Sequence, residues 1–120
     1  MSTVVLHTID HGPVEFECPA WCIGHHWQMG RDIGRNDITH NSARVKAVAQ
    51  TEARGLVPVL ACRISWAPFA ELVPVVDVEV DVQSSFPAED IAHVARGLRT
   101  AAMRLERMAG EAIRMRGEIR

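Results

Sequence analysis

The sequence predicts an α+β fold: an N-terminal hairpin and a long Cys/His-rich loop, a three-stranded antiparallel meander, and a long C-terminal amphipathic helix packed on the sheet. Three observations carry this. Val76, Val78, Val80 and Val82 alternate with Asp77, Glu79 and Asp81, the period of two of a sheet with one dry face. From residue 87 to about residue 115 the chain is rich in Ala, Leu, Met, Arg and Glu, and Ile91, Leu98, Leu105 and Ala112 recur every seven residues, which is helical amphipathicity. Between residues 18 and 41 all periodicity is lost and Cys, His, Gly, Trp and Asp accumulate. A loop of that length inside a compact domain needs an organiser other than secondary structure.

A chain of 120 residues has room for one core, so residues 1–120 read as a single domain. Its 48% hydrophobic and 23% charged residues are the balance of a globular protein rather than a disordered one. Thirteen basic against fifteen acidic side chains leave a net charge of -2, so no global field draws the chain to nucleic acid or an acidic membrane.

Taken in order, residues 3–9 and 14–17 are β-prone runs around Asp10-His11-Gly12, where glycine supplies the positive φ of a three-residue hairpin loop. Residues 12–41 form the Cys/His segment, and residues 43–82 hold three strands at about 43–48, 56–66 and 72–82. In the middle strand Leu60, Cys62, Ile64 and Trp66 alternate with Val59, Ala61, Arg63 and Ser65, which assigns them to opposite faces. Arg44, Lys46 and Arg63 then face Asp77, Glu79 and Asp81 as cross-strand ion pairs. The helix spans residues 87–115. Pro87 suits its first turn and Glu89 and Asp90 its N-terminal charge, although Phe86 offers no capping side chain. Gly97 and Gly110 each cost about 1 kcal/mol of helix propensity relative to alanine, so fraying is expected beyond Gly110. The apolar stripe can cover the valine face of the sheet, or its far half can pair with a second copy as a homodimer.

The N-terminus has no basic region ahead of its short apolar run, and the longest uncharged apolar stretch, residues 55–62, stops at Arg63. The reading is a cytoplasmic protein without a membrane partner. In a reducing compartment an odd number of cysteines argues against a disulfide framework.

The chemistry concentrates in Cys18-Pro-Ala-Trp-Cys22-Ile-Gly-His25-His26, followed by His40. Thiolate and imidazole are the preferred donors of Zn2+, and a Cys-x3-Cys step lets both sulfurs reach one tetrahedral ion. A histidine three or four residues further on completes the knuckle and His40 closes the loop. The ligand set is therefore Cys18, Cys22, His26 and His40, with His25 the competitor of its neighbour, since adjacent side chains point apart. The alternatives are a Cys18–Cys22 disulfide, or two small buried hydrophobes beside solvated histidines. Asp37 could orient an imidazole or serve as a turn residue. Trp21 and Trp27 read as a miniature core around the loop rather than an exposed binding surface.

The segments CPAWCIGHH and DITH, three strands, and a helix opening with Pro-Ala-Glu-Asp together resemble an actinobacterial family of small Cys-Pro-x-Trp-Cys/His-His domains of unknown function. The resemblance spans roughly residues 12–108 and is most specific at Trp21-Cys22 with His26 and His40. It implies a recurring Cys/His site at the four positions and no established activity. Phe86 departs from it, because such helices open with a Thr or Ser cap before the proline.

A Cys2His2 set leaves no open coordination position, which separates structural from catalytic zinc. The functional reading is a small zinc-stabilised, non-catalytic protein-interaction or regulatory module whose partner is another protein or a second copy. The alternative is a nucleic-acid-binding regulator using the zinc loop or the helix bearing Arg96, Arg99, Arg104, Arg107, Arg114 and Arg116. A metal hydrolase ranks last, because no His-x-Glu or His-Glu-x-x-His segment supplies a base.

Overall fold

A computed structural model describes residues 2–119. The chain runs β1 (Ser2–Thr8), β2 (Gly12–Cys18), a 3-10 turn (Arg35–Asp37), β3 (His40–Asn41), β4 (Val45–Thr51), β5 (Gly55–Trp66), β6 (Val75–Val80), a second 3-10 turn (Ala88–Asp90) and α1 (Ile91–Ile119). β1 and β2 form a two-stranded antiparallel sheet on their own. In the second sheet β5 is the hub. β4 pairs with its first two thirds, β3 pairs with Ser65 and Trp66, and β6 pairs antiparallel with Leu60 to Ser65. Ser65 pairs with both Asn41 and Val75, and Ala61 with both Lys46 and Glu79, so β3 and β4 share one edge of β5 and β6 takes the other. The expected meander is present, and β3 is an addition too short to leave a pattern.

Both hairpin loops use one device. Thr8 Oγ1 donates to the Gly12 carbonyl at 2.8 Å and accepts the His11 N–H at 3.1 Å. Thr51 Oγ1 repeats this with Gly55 at 2.9 Å and Arg54 at 3.1 Å. Gly12 and Gly55 sit at φ +62 and +67, the left-handed region where a side chain is strained.

β5 departs from simple alternation. Ala47 faces Leu60 but Val48 faces Pro58, leaving Val59 as the extra residue of a β-bulge, which switches the strand's buried face. Val59 and Leu60 are therefore both buried, and Val59 does not belong with Ala61 and Arg63 on the solvent face. Of the cross-strand ion pairs, Arg63 meets Asp77 at 3.4 Å, from directly opposite positions.

α1 packs on β4 and β5. Ala47, Ala49, Leu60, Cys62 and Ile64 meet Ala101, Met108, Ala112 and Met115 in one apolar cluster. Gly97 allows the close approach, because a Cβ there would lie 2.9 Å from Ala49 Cβ. Asp90 is buried, and its carboxylate accepts the N–H groups of Glu52 at 2.9 Å and Ala53 at 3.1 Å. It ties the helix start to the β4–β5 turn instead of serving the helix N-terminus. The helix opens as a 3-10 turn without a side-chain cap and continues past Gly110, because Ala112 and Met115 remain buried and packing outweighs the glycine penalty.

A second apolar cluster, Leu6, Phe16 and Ile38 with Val4, Val14, Ile33 and Phe69 against it, holds the β1–β2 hairpin. The radius of gyration is 18.0 Å, against about 14 Å for a compact chain of this length. The molecule is elongated, with its apolar interior divided in two.

Candidate metal centre

The junction between the two clusters is built from the loop that follows β2. Alternation along β2 turns Val14, Phe16 and Cys18 inward. The Cys22 N–H then closes a turn on the Pro19 carbonyl at 3.0 Å. Gly24, at φ +101, reverses the chain, and its N–H approaches Cys22 Sγ at 3.4 Å. That reversal aims His25 back at the cysteines. The Ile23 N–H bonds the Asn41 carbonyl at 2.9 Å, which fastens the knuckle beside β3, whose first residue is His40.

The ligand atoms of Cys18, Cys22, His25 and His40 all lie within 4.8 Å of one another. His25 Nε2 is 3.7 Å from Cys18 Sγ, 3.6 Å from Cys22 Sγ and 3.3 Å from His40 Nδ1. Such a group could hold a metal ion. Three of the four expected positions come together here, and the fourth is His25 rather than His26. His25 is 2% exposed, whereas His26 points to solvent. The reversal at Gly24 decides between them, since neighbouring side chains cannot both face inward. The three cysteines are free thiols, which answers the disulfide alternative.

His25 is oriented by a residue that the sequence does not single out. Gln28 is buried, and its Nε2 donates to the Asp37 carbonyl at 2.8 Å. That donation turns Oε1 toward His25 Nδ1 at 3.0 Å. An amide oxygen only accepts, so Nδ1 carries the proton and Nε2 presents a lone pair to the cysteines. Asp37 is the turn residue of the two roles open to it: its carboxylate accepts the Gly34 N–H at 3.0 Å and touches neither imidazole.

Aromatic rings enclose the site. Phe16 meets His25 and His40 edge-on at 5.0 and 5.5 Å, Trp66 tilts over His40 at 5.7 Å, and Trp21 meets it at 6.2 Å. Trp21 also packs on the sheet–helix cluster, so it belongs to the wall expected of it. Trp27 does not: it is 41% exposed, with its Nε1 donating to the Gly24 carbonyl at 3.2 Å. Burial, and then the neighbouring Cys22, pushes the Cys18 thiol up to about 12. Burial, and then His25, holds His40 down to about 4. The pocket therefore favours neutral groups until a cation compensates the thiolates.

Fold and site define a class: a small α+β protein whose two Cys and two His side chains could hold a metal ion between two apolar clusters. A family model described as a domain of unknown function (DUF6907) matches residues 3–114, and the chain belongs to that family. No curated protein and no solved structure matches the chain. No helix of the described residues is long and apolar enough to cross a membrane.

Proposed function

We propose that Cys18, Cys22, His25 and His40 form a closed structural zinc site and that the protein is a non-catalytic module acting through protein contacts. One observation carries the reading. A tetrahedral zinc with Zn–N of about 2.0–2.1 Å and Zn–S of about 2.3 Å holds its nitrogens about 3.3–3.4 Å apart and each sulfur about 3.5–3.6 Å from each nitrogen. The nitrogen pair here is 3.3 Å apart, and the two sulfurs are 3.7 and 3.6 Å from His25 Nε2. Four protein ligands fill a tetrahedron, leaving no position for water or substrate. The carboxylate of Asp37 is engaged by the Gly34 N–H. Zinc supplies, when bound, charge compensation for two thiolates and a fixed point joining β2, the loop and β3.

Elemental analysis of protein purified without a histidine tag tests this reading, with the Cys22→Ser variant as its partner. One zinc per chain, lost in the variant, is the expected result. Cobalt substituted for zinc should give a saturated tetrahedral spectrum that added small ligands do not alter. Protein without metal, or a cobalt spectrum with an exchangeable position, would overturn the closed-site reading.

A further inference from the structure

We propose that the free edge of β6 is a docking strand for an extended peptide segment in which lysine or arginine alternates with apolar residues. The proposal deepens the reading of the protein as an interaction module and does not depend on which metal is bound. Among the described residues β6 pairs with β5 alone, so its outer edge carries a row of open N–H and C=O groups. It is six residues long with no proline or bulge inside it, and such features are what usually close an edge to pairing.

Val76 packs against the helix–sheet cluster, but the rest of β6 is exposed on both faces. α1 lies over β4 and β5, which leaves Val78 49% and Val80 59% exposed on the helix side of the sheet. Helical spacing puts Leu98, itself 44% exposed, on the flank of α1 away from Gly97 and Arg104, which both reach β4. That flank looks toward β6. On the other face, Asp77 shares its charge with Arg63, but Glu79 stands opposite Ala61 and among the described residues makes no ion pair. An added strand sends alternate side chains to the two faces. Its apolar positions would extend the cover over Val78 and Val80 beside Leu98, and its basic positions would lie beside Asp77 and Glu79.

The same charges argue against self-pairing through this edge. Two chains joined antiparallel through β6 about a two-fold axis normal to the sheet, with Glu79 against Glu79, also set Asp77 against Asp81 just past the strand, and like charges directly opposite are destabilising. The acidic side chains of β6 therefore disfavour face-matched pairing with a second β6 and favour a basic strand.

The test uses the zinc-loaded full chain, with metal content measured on the same sample. Its probe is a short, end-blocked, fluorescent peptide of alternating lysine and valine. Saturable binding is expected, with hydrogen-exchange protection gained at the amides of Val75–Val80. A peptide of the same composition with its lysines and valines in separate blocks should bind at least about tenfold more weakly, as should the alternating peptide to the E79K/D81K variant. Both positions are exposed, and unchanged helical circular dichroism will show that this variant folds. Equal binding of the block peptide, protection away from β6, or protection of β6 by self-association without peptide would each overturn the proposal. If the sample lacks zinc but the peptide still docks on β6, the metal assignment fails and the docking surface stands.

Discussion

The β1–β2 and β4–β5 hairpins turn on the same Thr-x3-Gly loop, with the same two hydrogen bonds from the threonine hydroxyl, yet they are held in place by different means. β4–β5 belongs to a sheet with β3 and β6, lies under a 29-residue helix, and has its turn clamped by the buried Asp90. Among the described residues β1–β2 has no third strand, and the buried apolar residues Leu6, Phe16 and Ile38 hold it. A two-stranded hairpin is marginal in water by itself. The β1–β2 hairpin is joined to the rest of the molecule by Phe69, which packs against its apolar cluster, and by the group that takes Cys18 from its last residue, His40 from β3, and Cys22 and His25 from the loop between. Local turn chemistry therefore does not decide how stable a hairpin is. In one half apolar burial does so, and in the other that role falls to the metal proposed for the Cys/His cluster.

The strongest way to break this contrast is to remove the metal proposed for the Cys/His cluster. Structural zinc in small domains couples on the order of 10 kcal/mol of binding to folding, more than the three-residue cluster around Phe16 can replace. Chelation, or Cys22→Ser, should abolish exchange protection in β1, β2 and residues 19–41 while α1 and β4–β6 keep theirs. Equal loss in both halves would show that the helix–sheet half also depends on the site through Trp21. Retention in both would show that apolar packing suffices throughout.

Acidity acts on the same half. Burial keeps the Cys18 proton in place up to about 12, so a metal binding at neutral pH must displace it, and apparent affinity should rise about tenfold per pH unit for that proton. His40, held down to about 4, is already neutral and adds to the slope only as pH falls toward that value. In the metal-free fold, His40 stabilises above its ordinary 6.5 and loses this as pH falls to about 4. Cys18 stabilises below its ordinary 9.0 and loses this as pH rises to about 12. Competition against a chromophoric chelator across neutral pH measures the slope, and a flat profile would mean that Cys18 is already a thiolate.

Gln28→Ala sharpens the comparison without touching a ligand. It removes the acceptor that fixes His25 Nδ1 and should weaken metal binding about 10–100-fold, with no effect on the melting of α1. Unchanged affinity would mean that the reversal at Gly24 alone orients the ring.

The regular half was the more legible in sequence. The valine alternation of β6 and the seven-residue recurrence of α1 state their structures directly, because repeated packing leaves a period. The bulge at Val59 left none, since one extra residue within an apolar run reads as continued alternation. In the half that carries the Cys/His cluster the donor types and their loop could be read, but choosing His25 over His26 depends on the left-handed Gly24. Gln28 orients His25 through its amide and has no donor chemistry by which a ligand search would find it. Asp90 was legible as a helix-start acid and proved to serve the β4–β5 turn, a contact 38 residues away.

The smallest effects divide the helix itself. Glycine to alanine inside a helix normally stabilises by about 1 kcal/mol, and at Gly110, where an added Cβ meets nothing within 4 Å, Gly110→Ala should gain up to that amount. At Gly97 the added methyl would meet Ala49 Cβ at 2.9 Å, Ala49 Cα at 3.0 Å and the Val48 carbonyl oxygen at 3.1 Å. Two of these are backbone atoms of β4 and cannot swing aside. Gly97→Ala should therefore destabilise by about 1–3 kcal/mol, as overpacking does, despite the better propensity. Opposite signs in thermal melts of the two variants would locate the seam between helix and sheet at residue 97. Stabilisation by both would mean that α1 can lift from β4 at little cost, which would leave the helix–sheet half less dependent on close packing than the buried cluster implies.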